Sequence, residues 1–364
     1  MLTIGVEEEY LLVDPVTGVP VTRAAAVREA AGLHPVLDEG EVQPELLQAQ
    51  LEVATPVCRE LDEVGGHLLR LRHALAEAAQ QCGCLPAASG TAPFTDREPV
   101  PVTPSPRYRQ MRQDAPALID EQLINGMHVH VGVPDREAGV VVLNRLRPWL
   151  PVLTALAANS PLWRGADTGF ASWRTIVFGR WPVSGCPPPF ADAADYDRRI
   201  RTLVDGRLVR DTGQLYWQAR LSERYPTVEV RAMDVQLRPD EAVVLAGIVR
   251  GLAARALQPG SDGGCADPLP ELLRSADWHA ARYGSTEELF DPLAGRLRRA
   301  EDTVRALLGH VEAQLDRSGD RRLVTAGLER LFRHGNGAVR QRAELRHGGR
   351  AGLTGMITEE TAGR

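Results

Sequence analysis

Lysine is absent: all 42 basic residues of this 364-residue chain are arginine. That absence excludes a phosphate-loop lysine, a Schiff-base lysine and a lysine general base together. Anion chemistry must therefore run on guanidinium, backbone amides or metal. Cysteine is sparse. The five residues, Cys58, Cys82, Cys84, Cys186 and Cys265, are odd in number and scattered, and the close pair Cys-Gly-Cys is too tight for the two halves of a zinc ligand set. They read as reduced thiols with no ligand or nucleophile role. An excess of positive charge is missing as well. The net charge of −6 argues against sequence-independent nucleic-acid binding, where a basic face must neutralise phosphates. No apolar run approaches the roughly 20 residues of a membrane span, and no basic, apolar leader is read before the first strand. These absences predict a cytoplasmic protein with small-molecule partners, no nucleic acid and no membrane, and a twofold homodimer as the commonest assembly for such a chain.

What is present is a strand pattern with charge where a core should be. Hydrophobic residues make up 43% of the chain, enough for one large domain or two fused lobes. The run TIGVEEEYLLVD (3–14) reads as a buried strand holding three carboxylates. DPVTGVP after it is turn chemistry and suggests a hairpin. ELLQAQLEVATPV (45–57) is a second extended run with Glu52 between Leu51 and Val53, and 61–81 has the spacing of an amphipathic helix. NGMHVHVGVPD (125–135) alternates with both imidazoles, His128 and His130, on one face. Residues 138–159 read as helical. The Gly-, Pro-, Trp- and Arg-rich stretch that follows, NSPLWRGADTGFASWRTIVFGRWPVSGCPPP, reads as an ordered, irregular binding loop. YPTVEVRAMDVQL (225–237) is a further strand, with Glu229 and Arg231 alternating. From 241 to 346 the period is mainly helical, broken by a loop at 259–268. The reading is one catalytic domain over 1–346 and a flexible, glycine-rich tail over 347–364.

In a strand, residues i and i+2 share a face, so Glu7 and Glu9 point together while Glu8 points away. Parallel carboxylates repel unless a cation lies between them, and a set of oxygen ligands with a minority of histidine suits Mg²⁺ or Mn²⁺ better than zinc. Such sites commonly bind nucleotide phosphates too. Arg231 and the loop arginines Arg164, Arg174 and Arg180 are the available charge stabilisers. Taken singly, the features have plainer explanations: an exposed acidic edge strand, half-exposed strand histidines, a cross-strand ion pair. Four strands each carrying inward acid or imidazole make the metal site the stronger reading. On that geometry Glu8→Gln should leave turnover within a few fold, whereas Glu9→Gln should abolish it.

GVEEEYLLVD, QLEVATPVC, GMHVHVGVPD, NSPLWRGADTGFASWRTIVFGRWP and TVEVRAMDVQ, in this order, resemble the carboxylate–amine ligases related to glutamate–cysteine ligase type 2, the YbdK-like group. The resemblance spans most of 3–255. It implies an α+β, glutamine synthetase-like fold in which a curved antiparallel sheet carries the site and helices pack on its convex face. It also implies ATP-dependent amide formation through an acyl phosphate, typically on the γ-carboxylate of glutamate. By motif, Glu7, Glu9, Glu45, Glu52, His128 and Glu229 would be metal ligands. Of these, Glu7, Glu52 and Glu229, with Arg231, would also hold ATP. His130 would line the substrate pocket, Arg231 would steady the transferring phosphoryl group, and Arg174 and Arg180 would act on the substrate carboxylate between Trp173 and Trp181. Three other readings stay open. They are a ligase of specialised metabolism with a different acid and amine, a guanidino-type phosphotransferase, and a nucleotide-binding homologue without turnover.

Overall fold

Alternating apolar residues around the three glutamates make the first strand of a sheet, because their pleat gives every second side chain to a helical layer. In the computed structural model, which describes residues 1–258, 260 and 268–363, this strand is β1 (Ile4–Val13). It is followed by β2 (Val42–Pro44), β3 (Gln50–Ala54), β4 (Leu85–Ala87) and β5 (Gly126–Gly132). A short hairpin, β6 (Leu162–Trp163) and β7 (Ala166–Asp167), precedes β8 (Ala219–Leu221) and β9 (Thr227–Asp234). A second hairpin, β10 (Glu288–Asp291) and β11 (Arg296–Arg299), lies in a region whose period reads as helix.

Seven strands form one antiparallel sheet in the order β2-β3-β1-β5-β9-β8, with β4 pairing the last turn-proximal residues of β1. Val6, Met127, Val129, Val131, Val228 and Val230 turn to one face and join the main apolar core. Helices Leu61–Gln81, Arg136–Leu146 and Pro239–Ala256 supply the other half of that core. Leu61–Gln81 starts on a reciprocal cap between Glu60 and Glu63 and buries Val64, Leu68, Leu71 and Leu75, each worth about 1.5–3 kcal/mol. The opposite face of the sheet is left to the polar residues.

Several sequence expectations change. The expected helix over 138–159 is two helices, Arg136–Leu146 and Leu150–Leu156, joined by a tighter turn at Arg147–Trp149, where Pro148 and Pro151 remove helix donors. The turn after β1 gives a single bridge, Val13 to Pro20, before the chain enters the helix Ala24–Gly32. The proline-rich run REPVPVTPSPRY (97–108), whose prolines read as a surface loop, ends in a helix, Pro106–Asp114, because Ser105 caps it and Pro106 occupies its first position. The loop expected at 259–268 falls mostly outside the described residues, as does Cys265.

The flexible tail is a correction. Residues 347–361 continue the helix Gly337–Thr361, which bends at Gly349, φ 61°. Glycine tolerates that left-handed backbone, and past the bend Leu353 and Ile357 enter a second apolar cluster with Leu11, Val13 and Val19. The hydroxyl of Thr361 accepts the amide of Ala88. Glycine content predicts fraying, but tertiary docking overrides it.

Candidate active site

Register brings the polar residues of four strands together. Glu9 lies opposite Glu52, Glu7 opposite His128, His130 opposite Glu229, and Arg220 of β8 opposite Glu229. Glu45 comes from the coil between β2 and β3. Three groups of ligand atoms each fit within 4.8 Å: Glu7, Glu52 and His128; Glu7, His130 and Glu229; Glu9, Glu45 and Glu52. All six expected metal ligands therefore converge. His130, expected only at the substrate pocket, joins them. Its Nε2 lies 3.2 Å from Glu7, and its Nδ1 bonds the Thr227 hydroxyl at 3.0 Å.

The charges divide unevenly. Burial opposes ionisation of Glu7, yet hydrogen bonds from His128 and His130 hold its carboxyl well below the usual range. Glu229 is also buried and held low by Arg231 and Arg220, and both guanidiniums contact it, Arg220 Nε at 2.7 Å. Among the described residues Glu45 and Glu52 have no cation in such contact, and Arg231 acts on them only from further off. Burial, then repulsion from Glu9, pushes Glu45 up from 4.5 to about 7. Burial and the charges of Glu7, Glu45 and Glu9 push Glu52 well above its ordinary value. Nε2 of His128 is buried without a hydrogen-bond partner among the described residues, and Nε2 of His130 has Glu7 beside it. Oxygen donors in surplus with a minority of imidazole nitrogen are the donor set of a hard divalent cation.

A stability test follows. Between about 4.5 and 7 the folded chain holds more protons at Glu45 than the unfolded chain, and Glu52 acts in the same direction. Metal-free protein should lose stability as pH rises through that window. Mg²⁺ or Mn²⁺ should offset the loss, so the metal-induced rise in Tm should be larger at pH 7.5 than at 5.5. A rise independent of pH would count against metal at these carboxylates.

Beside the Glu9–Glu45 end lies a cavity of about 180 Å³ lined by Arg174, Arg231, Arg107, Tyr108, Trp181 and Tyr216, among others. The irregular loop delivers Arg174 to it. Asp234, at the end of β9, accepts bonds from the Asn159 amide and from the Ser160 and Ser172 hydroxyls at 2.7–2.8 Å, and Ser160 Oγ accepts the Arg174 amide at 3.0 Å. The guanidinium of Arg174 lies over Gly126, where a Cβ would collide with it. Burial lowers its pKa.

Other loop residues go elsewhere. Arg180 pairs with Glu121 at 2.5 Å and bonds the Val177 carbonyl. Arg164 shares that glutamate at 2.8 Å. Trp173 packs against Phe170, ring centroids 5.3 Å apart. These three do not line the cavity. Trp181 does, with its Nε1 donating to Gln122 at 2.8 Å. Sequence reasoning missed Arg107, Tyr108 and Tyr216, which follow no local period, and Arg220, which only register could pair with Glu229. Asp234 stood in the quoted TVEVRAMDVQ motif, unassigned.

Glu8 faces the helices, as alternation requires, but its setting there is new. It receives Arg72 Nε at 2.9 Å and Nη2 at 2.5 Å, with both side chains fully buried. Arg72 also donates to the carbonyls of Gln236 and Leu237, at 2.9 and 2.8 Å. The pair ties β1 and the segment after β9 to the helix behind them. The expectation for Glu8→Gln, turnover within a few fold, is therefore joined below by an expected loss of stability.

A family profile described as glutamate-cysteine ligase family 2 (GCS2) matches residues 3–361. A relative from Nocardia farcinica, provisionally named glutamate–cysteine ligase 2-1, is 44% identical over 340 residues, 93% of this chain and 88% of its own. Two solved structures share the fold. One is a glutamate–cysteine ligase from Francisella tularensis in complex with AMP, with TM-score 0.73 and 13% identity over 99% of this chain and 88% of its own. The other is a bifunctional glutathione synthetase from Pasteurella multocida, with TM-score 0.71 and 14% identity over 100% of this chain and 52% of its own. With the profile spanning nearly its whole length, this chain belongs to glutamate–cysteine ligase family 2.

Proposed function

We propose that this chain, a carboxylate–amine ligase by family, spends ATP to join a carboxylic acid to an amine on the polar face of the sheet. A carboxylate oxygen attacks the γ-phosphorus, and the bond to the bridging oxygen breaks with its electron pair leaving on ADP. The amine nitrogen then attacks the acyl carbon, the bond to phosphate breaks, phosphate leaves, and the nitrogen gives up a proton. Glu7, Glu9, Glu45, Glu52 and His128 would hold Mg²⁺ or Mn²⁺, with Glu229 adding an oxygen. When bound, the ion supplies charge neutralisation for the phosphate oxygens.

The chain's own residues do the rest. Arg231 is oriented by Glu229, and its Nε has no partner among the described residues, which suits it to a phosphoryl oxygen of ATP. Arg174 meets a carboxylate of the acid. Phe178, Trp181 and Tyr216 keep water from the acyl phosphate, whose hydrolysis would waste it. A single observation carries this reading: carboxylates and imidazole from four strands meet beside a cavity that also holds Arg174 and Arg231.

The test is phosphate release from ATP and Mg²⁺ across acids crossed with amines, with products identified by mass spectrometry. Release that needs both partners, with an amide as product, is expected. ATP consumption without an acid, yielding a stable phosphoguanidine, would select the phosphotransferase instead. Arg174→Met should raise the KM for the acid roughly 100-fold, the scale of one lost charge-assisted contact, and leave the affinity for ATP within a few fold.

A further inference from the structure

In a site closed to water each spare charge on a substrate needs a partner. Joining glutamate through its γ-carboxylate to another amino acid leaves two carboxylates that take no part in the reaction, one on each substrate. The cavity offers three guanidiniums. Arg231 is committed to Glu229. Arg107, at the rim, is committed to Asp211, so a carboxylate arriving there meets a like charge. Arg174 has no carboxylate in ion-pair contact among the described residues, although Asp234 and Glu9 act on it from further off. Arg174 is 3% exposed, its Nη2 donates to the Arg231 carbonyl at 3.2 Å, and its Nε is unpartnered.

Much of the rest of the cavity lining is aromatic. Tyr216 stands 5.7 Å from Phe178 and 5.4 Å from Trp181, ring to ring. Tyr108 and Met111 also line the cavity, with Tyr108 near Glu45 and Glu52. One uncommitted cation and an aromatic wall suit one extra carboxylate and one apolar body.

We propose that the amine substrate carries no carboxylate and has an aromatic or other apolar body, seated against Tyr108, Phe178, Trp181 and Tyr216, while Arg174 takes the spare carboxylate of the acid. This rests on the ligase reading above. The neutral amine nitrogen attacks the acyl carbon, the carbon–oxygen bond to phosphate breaks with its pair on phosphate, and the extra proton leaves to solvent. Cysteine would be a poor partner by this count, since its carboxylate finds only the paired Arg107.

The experiment uses the full chain with ATP and Mg²⁺. Hydroxylamine first traps any acyl phosphate as a hydroxamate across a panel of mono- and dicarboxylic acids, which identifies the acid whatever the amine. Amines are then compared in pairs differing only by a carboxylate: phenethylamine with phenylalanine, and cysteamine with cysteine. In each pair the member lacking the carboxylate should have the higher kcat/KM by about tenfold or more, and phenethylamine should exceed cysteine by roughly 100-fold. Asp211→Asn, which frees Arg107, should raise kcat/KM for phenylalanine about tenfold and leave phenethylamine unchanged. If hydroxylamine gives a hydroxamate and kcat/KM for amide formation with cysteine equals or exceeds that with cysteamine and phenethylamine, the inference is overturned and the ligase reading stands. No hydroxamate from any acid would remove the ligase reading and this inference with it.

Discussion

Glu7→Gln is expected to lower kcat/KM by about three orders of magnitude or more, with the protein still folded. Glu7 belongs to two of the three ligand groups. It bonds His128 Nδ1 at 3.1 Å and sits 3.2 Å from His130 Nε2. Those imidazoles hold its carboxyl ionised against the cost of burial. An amide of the same shape removes one negative charge from the ion and presents an NH₂ that both rings would have to accommodate. The loss should appear in metal affinity as well as in turnover, so titration with Mn²⁺ should weaken in parallel with kcat/KM. Turnover within tenfold of wild type, at saturating metal, would rule out Glu7 as a central ligand. Glu9→Gln should behave in the same way, because Glu9 faces Glu52 across β3 and closes the group that includes Glu45.

Glu8→Gln should fail differently. Removing the charge strands Arg72, which is fully buried and has Glu8 as its carboxylate partner. Breaking a buried ion pair from one side costs about 3–5 kcal/mol. The Tyr10 hydroxyl, which also donates to Glu8, loses a charged acceptor. The expected result is a melting midpoint several degrees lower, with Mn²⁺ affinity of the folded protein near wild type, since Glu8 points away from the ligand groups. Arg72→Met in the same chain should recover part of the stability, because no unpaired charge then remains inside. A Glu8→Gln variant that melts like wild type would show that the pair is not the anchor its burial indicates. Reading the strand alone finds Glu8 harmless because alternation tells where a side chain does not point, and says nothing about what waits on the other side.

Much of the site was legible for the same local reason. The two-residue period needs no tertiary knowledge, so Glu7 with Glu9, His128 with His130 and Glu229 with Arg231 could be assigned to shared faces directly. The helix Leu61–Gln81 was legible with its bounds, since its apolar spacing and its Glu60–Glu63 cap are both local. The C-terminal helix was not. Its glycines read as a tail, and only contact with Leu11, Val13 and Val19 makes Leu353 and Ile357 worth ordering. The loop arginines divided in the same way: all three looked equally available, yet Arg164 and Arg180 close on Glu121 while Arg174 alone enters the cavity.

The sequence by itself determined which residues could act. It excluded lysine chemistry, put carboxylates and imidazoles on common strand faces, and matched five separated motifs to one ligase family. Tertiary structure decided which of those faces meet. Strand order and register set Glu9 against Glu52 and Arg220 against Glu229 beside Arg231, brought Glu45 in from a coil, and left Arg174 without an ion-pair contact among the described residues. Side-chain alternation belongs to the backbone of one strand, whereas pairing, burial and charge balance depend on residues tens to hundreds of positions away.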